Sequence, residues 1–163
     1  MHRLSTRTLS IGLIATLIVL GTLVRLAFVS ELGSSPLGDS AIGQGIIAHR
    51  LLLGDGLHYD EAHKQAAAAM QDARGERVDL EDVEPPATPA ENRFITDDPG
   101  YAFIEAAVWK VAGSERWSHV IWFQVFMEAL TAIALAIIAW RISGPSAAVW
   151  SVAALQFVGV SQM

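Results

Sequence analysis

An all-α membrane protein is the fold class this sequence predicts, and three observations predict it. The 163-residue chain is 52% hydrophobic and only 17% charged, whereas soluble domains run near 45–50% apolar and about 25% charged. The apolar residues crowd into blocks near 8–29, 117–140 and 146–160. The acids lie between the first two blocks, with all but Glu128 falling within 30–116. Blocks of membrane-spanning length around one polar loop predict three transmembrane helices, two juxtamembrane interfacial helices and a single sizeable extramembrane segment.

Residues 1–7 are short and basic. Residues 8–29 are apolar apart from Ser10, Thr16, Thr22 and Arg25. A helix rises 1.5 Å per residue, so about 20 residues cross a hydrocarbon core roughly 30 Å thick. This block is the first span, with Arg25 near its end, where the stem can snorkel to the headgroups. A cleaved signal peptide is the rival reading, with Ala27-Phe28-Val29 before the cut. The apolar run exceeds a typical signal core and Arg25 interrupts its end, which favours a retained helix.

Residues 30–38 are rich in Gly and Ser and form a loop. Asp39 follows, then apolar residues at 42, 46, 47, 51, 52 and 53. That spacing predicts a helix near 40–53, too short to span and suited to the membrane interface, with Gly54 as its C-cap. Glu61–Arg74 reads as a helix capped by Asp60. Residues 77–92 are acidic and carry Pro85, Pro86 and Pro89, which predicts an exposed, partly ordered loop.

Asp98-Pro99 signals a second short helix near 99–112, with Asp at N-cap and Pro at the first helical position. It stops at Gly113, and Trp109 and Lys110 suit an interface. Residues 117–140 form the clearest span, with aromatic residues at both ends and Arg141 closing it. Glu128 inside it is costly in hydrocarbon, so it faces protein or water as a helix-contact or orienting residue. Residues 141–145 turn at Gly144-Pro145. Residues 146–163 begin a third span that lacks an exit anchor and reads as incomplete.

Basic residues stay cytoplasmic. Arg3 and Arg7 place the N-terminus inside and Arg141 places the second short loop there too. The acidic loop 30–116 is then extracytoplasmic, on a multi-pass protein of the plasma (inner) membrane. No basic face suits a nucleic acid. Cysteine is absent, which excludes disulfides and thiolate metal sites. The chain has no P-loop, no GxGxxG and no zinc-type spacing, so no nucleotide or organic cofactor is expected.

Asp39 is the first candidate for chemistry. It suits a helix N-cap; it also suits a general base, half desolvated at a membrane surface. Asp98 is explained as a cap, and Asp97 is not. Together they offer hard oxygens to a divalent ion. His58 and Asp60 also offer metal ligands, but at a spacing that matches no specific motif.

The order of the parts is more informative than any one residue. A span with Arg25 near its end is followed by Gly38-Asp39 and a helix ending Leu-Leu-Leu-Gly-Asp-Gly. Then come Pro99-Gly100-Tyr101-Ala102, Trp109-Lys110-Val111-Ala112-Gly113, and a helix beginning Ser118-His119-Val120-Ile121-Trp122. Arg141-Ile142-Ser143-Gly144-Pro145 closes the run. This order resembles the N-terminal module of the GT-C glycosyltransferases, nearest to the family 39 enzymes related to protein O-mannosyltransferases and lipid A aminoarabinose transferases. The resemblance covers 8–54 and 97–163.

It implies transfer of a sugar, with inversion, from a polyprenyl-phosphate donor to an acceptor. Asp39 matches the family's catalytic Asp. Asp97 falls near an acid that helps bind metal or substrate in some members. Asp98 and Tyr101, at the Pro-Gly-Tyr start, take substrate-binding places. The sequence departs from the family at Ser40, Gly43 and Ala102. The family also has many more membrane helices, so the resemblance implies a front portion, inactive alone. The competing expectation is a non-catalytic membrane subunit that docks partner subunits through 55–96 and the face carrying Glu128.

Overall fold

The computed structural model describes residues 6–32, 38–84, 93–94 and 99–161. The order is α1 (Thr6–Leu32), α2 (Asp39–Leu53), β1 (His58–Tyr59), α3 (Glu61–Arg74), β2 (Arg93–Phe94), α4 (Gly100–Ala112), α5 (Trp117–Ser143) and α6 (Pro145–Ser161). The fold is helical, with one small antiparallel ribbon that pairs His58 with Phe94 and Tyr59 with Arg93. The residues divide into two compact units, 1–30 with 124–163, and 31–123.

Among the described residues, two helices are long and apolar enough to cross a membrane. They are residues Thr6–Glu31, of mean hydropathy 2.3, and Trp117–Ser143, of mean hydropathy 2.0. Only 17% of the most apolar stretch of each is buried, unlike the core helix of a soluble protein. Leu13, Leu20 and Leu23 of α1 and Trp122, Phe126 and Ile137 of α5 are all exposed. So broad an exposed apolar surface suits lipid better than water. α6 has 17 residues and so rises about 26 Å, short of a full crossing.

In the unit formed by 1–30 and 124–163, Ile14, Ala136, Ala148 and Val152 pack together. Arg25 corrects an expectation. Its side chain does not snorkel: it is 3% exposed and ion-paired with Glu128 of α5. A second nitrogen of Arg25 donates to the Gln156 side chain of α6. The polar groups of three apolar helices thus satisfy one another, as a poorly hydrated setting requires. Glu128 meets protein through this ion pair while its side chain stays 41% exposed, within the expectation that it faces protein or water. A Cβ on Gly21 would overlap the far end of the Gln156 side chain and come within 3.1 Å of Arg25 Nη1, so those flexible ends would have to shift to admit it.

The core of 31–123 is built on α2. Ile42, Ile46, Ile47 and Ala48 recur at helical spacing and are buried against α3, α4 and the first turn of α5. α2 packs most extensively on α4, whose inner stripe is Ala102, Glu105, Ala106 and Trp109. Burying Ile46 and Trp109 contributes about 1.5–3 kcal/mol each. Trp109 meets Trp117 edge to face at 5.4 Å. A Cβ on Gly45 would lie 2.7 Å from Trp117 Cζ2 and 3.0 Å from Leu80 Cδ1. Gly45 therefore costs helix propensity but lets α2 approach the indole.

The helix over 61–74 forms as predicted. Asp60 accepts from the His63 amide at 3.0 Å, and Gly75 ends the helix at φ +65°. Residues 77–84 depart from the predicted exposed loop. Val78, Leu80 and Val83 are buried, and Leu80–Asp82 forms a 3-10 turn. Buried Gln71 holds this stretch by accepting from the Val78 amide at 3.3 Å. Asp79 accepts from the Trp117 amide at 2.8 Å, and Val78 O from the Trp117 indole at 3.1 Å. Glu81 takes the Arg116 guanidinium at 3.0 Å. The start of α5 is thus capped from a distant loop, which serves its unsatisfied amides as a local cap would. Residues 85–92 lie outside the described residues.

Candidate functional site

α2 begins at Asp39 itself, with Gly38 as its N-cap in extended conformation. The Ala41 amide donates to Gly38 O at 3.0 Å. Asp39 is therefore in the first turn and not the cap, a shift of one residue from the sequence expectation. An acid in that turn is favoured by the helix dipole. Its side chain lies outside the described residues, as do Asp97 and Asp98. Pro99 holds the N-cap place of α4, whose helix begins at Gly100, again one residue later than the Asp98-Pro99 signal predicts. Tyr101 sits in the first turn of α4, half-buried against the core.

A polar cluster absent from the sequence expectation occupies the other end of α2. His49 Nδ1 lies 2.5 Å from Glu115 Oε2. The His49 and His63 rings meet edge to face at 5.5 Å. Arg50 pairs with Asp55 at 3.0 Å and with buried Asp60. Asp60 thus serves as a helix cap and an ion-pair partner; His58, weighed with it as a metal ligand, has its side chain outside the described residues. Burial alone would raise the Asp60 carboxyl. The His63 amide and the Arg50 guanidinium outweigh that and hold it below its usual range.

His63 is 1% exposed, and neither ring nitrogen has a hydrogen-bond partner among the described residues. Burial, then the charge of His49, lowers its pKa below the ordinary histidine value. The unfolded chain then binds the proton more readily than the folded one. Stability carried by neutral His63 is complete above about pH 6.5 and is lost as pH falls below it. Amide exchange across 61–74 is expected to lose protection between pH 7 and 5, and His63→Leu to remove that acid limb. Equal pH profiles for the two proteins would show that another group controls it.

Glu105 is the other departure. It is 0% exposed, and neither carboxylate oxygen has a partner among the described residues. Burial pushes its pKa up to about 8, so it is mostly protonated at neutral pH. Its position on the stripe 102, 105, 106, 109 was readable from helical spacing. Among the described residues no three His, Asp or Glu side chains gather as a metal set.

α4 also carries apolar residues on its outer side. Phe103 and Ile104 are exposed, and Val111 is 90% exposed. A groove of 540 Å³ lined by Ile104, Val108, Val111, His119 and Trp122 joins this side to the first turns of α5. No family model, curated protein or solved structure matches the chain.

Proposed function

We propose that this chain is the front portion of a membrane glycosyltransferase that uses a polyprenyl-phosphate-linked sugar. The observation that carries the reading is the double-sided α4. One apolar side packs on α2, and the other is exposed and continuous with the apolar start of α5. A helix of 13 residues with an exposed apolar side and Lys110 in its last turn suits the headgroup boundary. α1 and α5 are the spans that flank this helix pair in sequence, and α6 begins a third. The orientation is N-terminus cytoplasmic in the inner membrane, from Arg3, Arg7 and Arg141.

In this reading Asp39 starts α2 at the lipid boundary and takes the proton of an acceptor hydroxyl. The hydroxyl oxygen attacks the anomeric carbon opposite the phosphate. The carbon–oxygen bond to phosphate breaks, and the polyprenyl phosphate leaves with that bonding pair. Configuration at the sugar inverts. Asp98 and Tyr101, at the start of α4, contact the substrate. Asp97 is the proposed holder of a divalent ion, whose chemistry would be to neutralise phosphate charge.

Asp39→Asn in the full-length gene product is expected to reduce sugar transfer in isolated membranes at least about a hundredfold, the usual worth of a general base. Membrane abundance is expected to stay unchanged. Retained transfer would remove Asp39 from the chemistry. Absence of transfer by the unmutated protein, with stable capture of a membrane partner, would favour the non-catalytic subunit.

A further inference from the structure

The groove between α1 and α5 carries an inference beyond the transfer reaction, resting only on the membrane part of the reading above. The two helices run antiparallel: Arg25 meets Glu128 toward one end, and Ile14 and Ile18 pack near Ala136 and Trp140 toward the other. At that second end they leave a groove of 580 Å³, lined by Ile11, Ile18, Ile133, Ile137, Trp140 and Arg141 among others. Apart from Arg141 every lining residue is apolar. Arg7 stands one turn before Ile11 on the same stripe of α1, and both arginines are exposed. Antiparallel packing brings Arg7 and Arg141 to the same end.

An apolar trough lined at its end by Arg141, with Arg7 one turn beyond Ile11 toward the same end, suits an apolar chain with an anionic head. Guanidinium groups take phosphate oxygens through paired, charge-assisted hydrogen bonds. A neutral lipid or an apolar helix would fill the trough and leave that charge unused. We propose that this groove binds an anionic phospholipid of the surrounding leaflet. One acyl chain lies along Ile11, Ile18 and Ile137, and the phosphate meets Arg7 and Arg141. The site lies at the N-terminal end of α1.

The test is native mass spectrometry of the full-length protein in detergent, titrated with phosphatidylglycerol or phosphatidylcholine. One phosphatidylglycerol is expected to be retained preferentially. The paired substitution Arg7→Gln with Arg141→Gln is expected to weaken retention roughly thirtyfold. Ile18→Trp fills the trough without altering charge and is expected to weaken it comparably, which separates lipid binding from any change in orientation. Equal retention of both lipids, or retention unaffected by both variants, overturns the site. Carbonate extraction of the membranes tests the underlying reading separately. A protein released by carbonate defeats the membrane assignment. A protein that stays in the membrane but shows no headgroup preference defeats the lipid site alone.

Discussion

Replacing Glu105 with Leu is expected to stabilise the unit formed by residues 31–123 at pH 7 by roughly 3 kcal/mol. The reason is the proton that the buried carboxyl must hold. Its pKa rises from 4.5 to about 8. Each pKa unit is worth about 1.36 kcal/mol, and neutral pH lies about 2.5 units above the unfolded value. Between pH 4.5 and 8 the folded state binds the extra proton, so stability falls as pH rises through that window. Leu is similar in volume and has no polar atom, so it fills the place without a cavity. Glu105→Gln removes the titration but keeps a buried polar group. It should flatten the pH profile and recover less stability. Protection of α4 amides, followed from pH 5 to 9 in the purified protein, measures both effects. A Leu variant less stable than the parent at pH 8 would show that Glu105 has a partner and is held there by it.

His63 titrates in the opposite sense, so the two groups oppose each other below about pH 6.5, and Glu105 alone acts from there to pH 8. The Leu variant is therefore best compared with its parent in that upper interval. A buried acid on α4 and a buried imidazole on α3, each without a side-chain hydrogen-bond partner among the described residues, are also why this unit departs from ordinary core composition. Local conflicts of this kind concentrate at functional sites.

The helices were legible in the sequence because each has a local signature. Apolar residues at 42, 46 and 47 mark α2, Asp60 caps α3, and Gly54 and Gly113 end their helices in left-handed conformation. The two candidate spans follow from length and hydropathy. What the sequence concealed depends on contacts between distant residues. Arg25 near the end of an apolar block looks like a snorkelling residue until Glu128, more than a hundred positions on, is seen beside it. The stretch 77–84 looks like a solvated loop because its acids dominate the composition. Asp79 and Glu81 instead cap a distant helix and hold an arginine, while Val78 and Leu80 fill the core. The His49–Glu115 contact likewise joins residues 66 positions apart. Of the candidate site, only the placement of Asp39 at the start of α2 and of Tyr101 at the start of α4 is on view.

Arg25→Met is expected to destabilise the unit formed by 1–30 and 124–163 by about 1–3 kcal/mol, between the values for exposed and buried ion pairs because the Glu128 side chain is 41% exposed. The loss has two sources. Gln156 of α6 is left without the guanidinium that its side-chain oxygen accepts from. Glu128, itself less buried than Arg25, keeps a charge that its partner no longer offsets. Most of the penalty is therefore the cost of the abandoned groups and not the worth of the pair. The double substitution Arg25→Met with Glu128→Met tests that directly. It removes both charges from an apolar setting and should recover the greater part of the stability lost by the single change. Gly21→Ala supplies an independent probe, because its Cβ displaces the Gln156 side chain while both charges stay in place. Since that side chain is flexible at its far end, the loss should be smaller than for Arg25→Met. Unfolding of the purified protein in mixed micelles, measured for the parent, Arg25→Met, Glu128→Met and the double variant, gives the coupling between the two charged positions. If the loss in the double variant equals the sum of the two single losses, the two side chains are not energetically coupled. Glu128 would then be held by something other than α1.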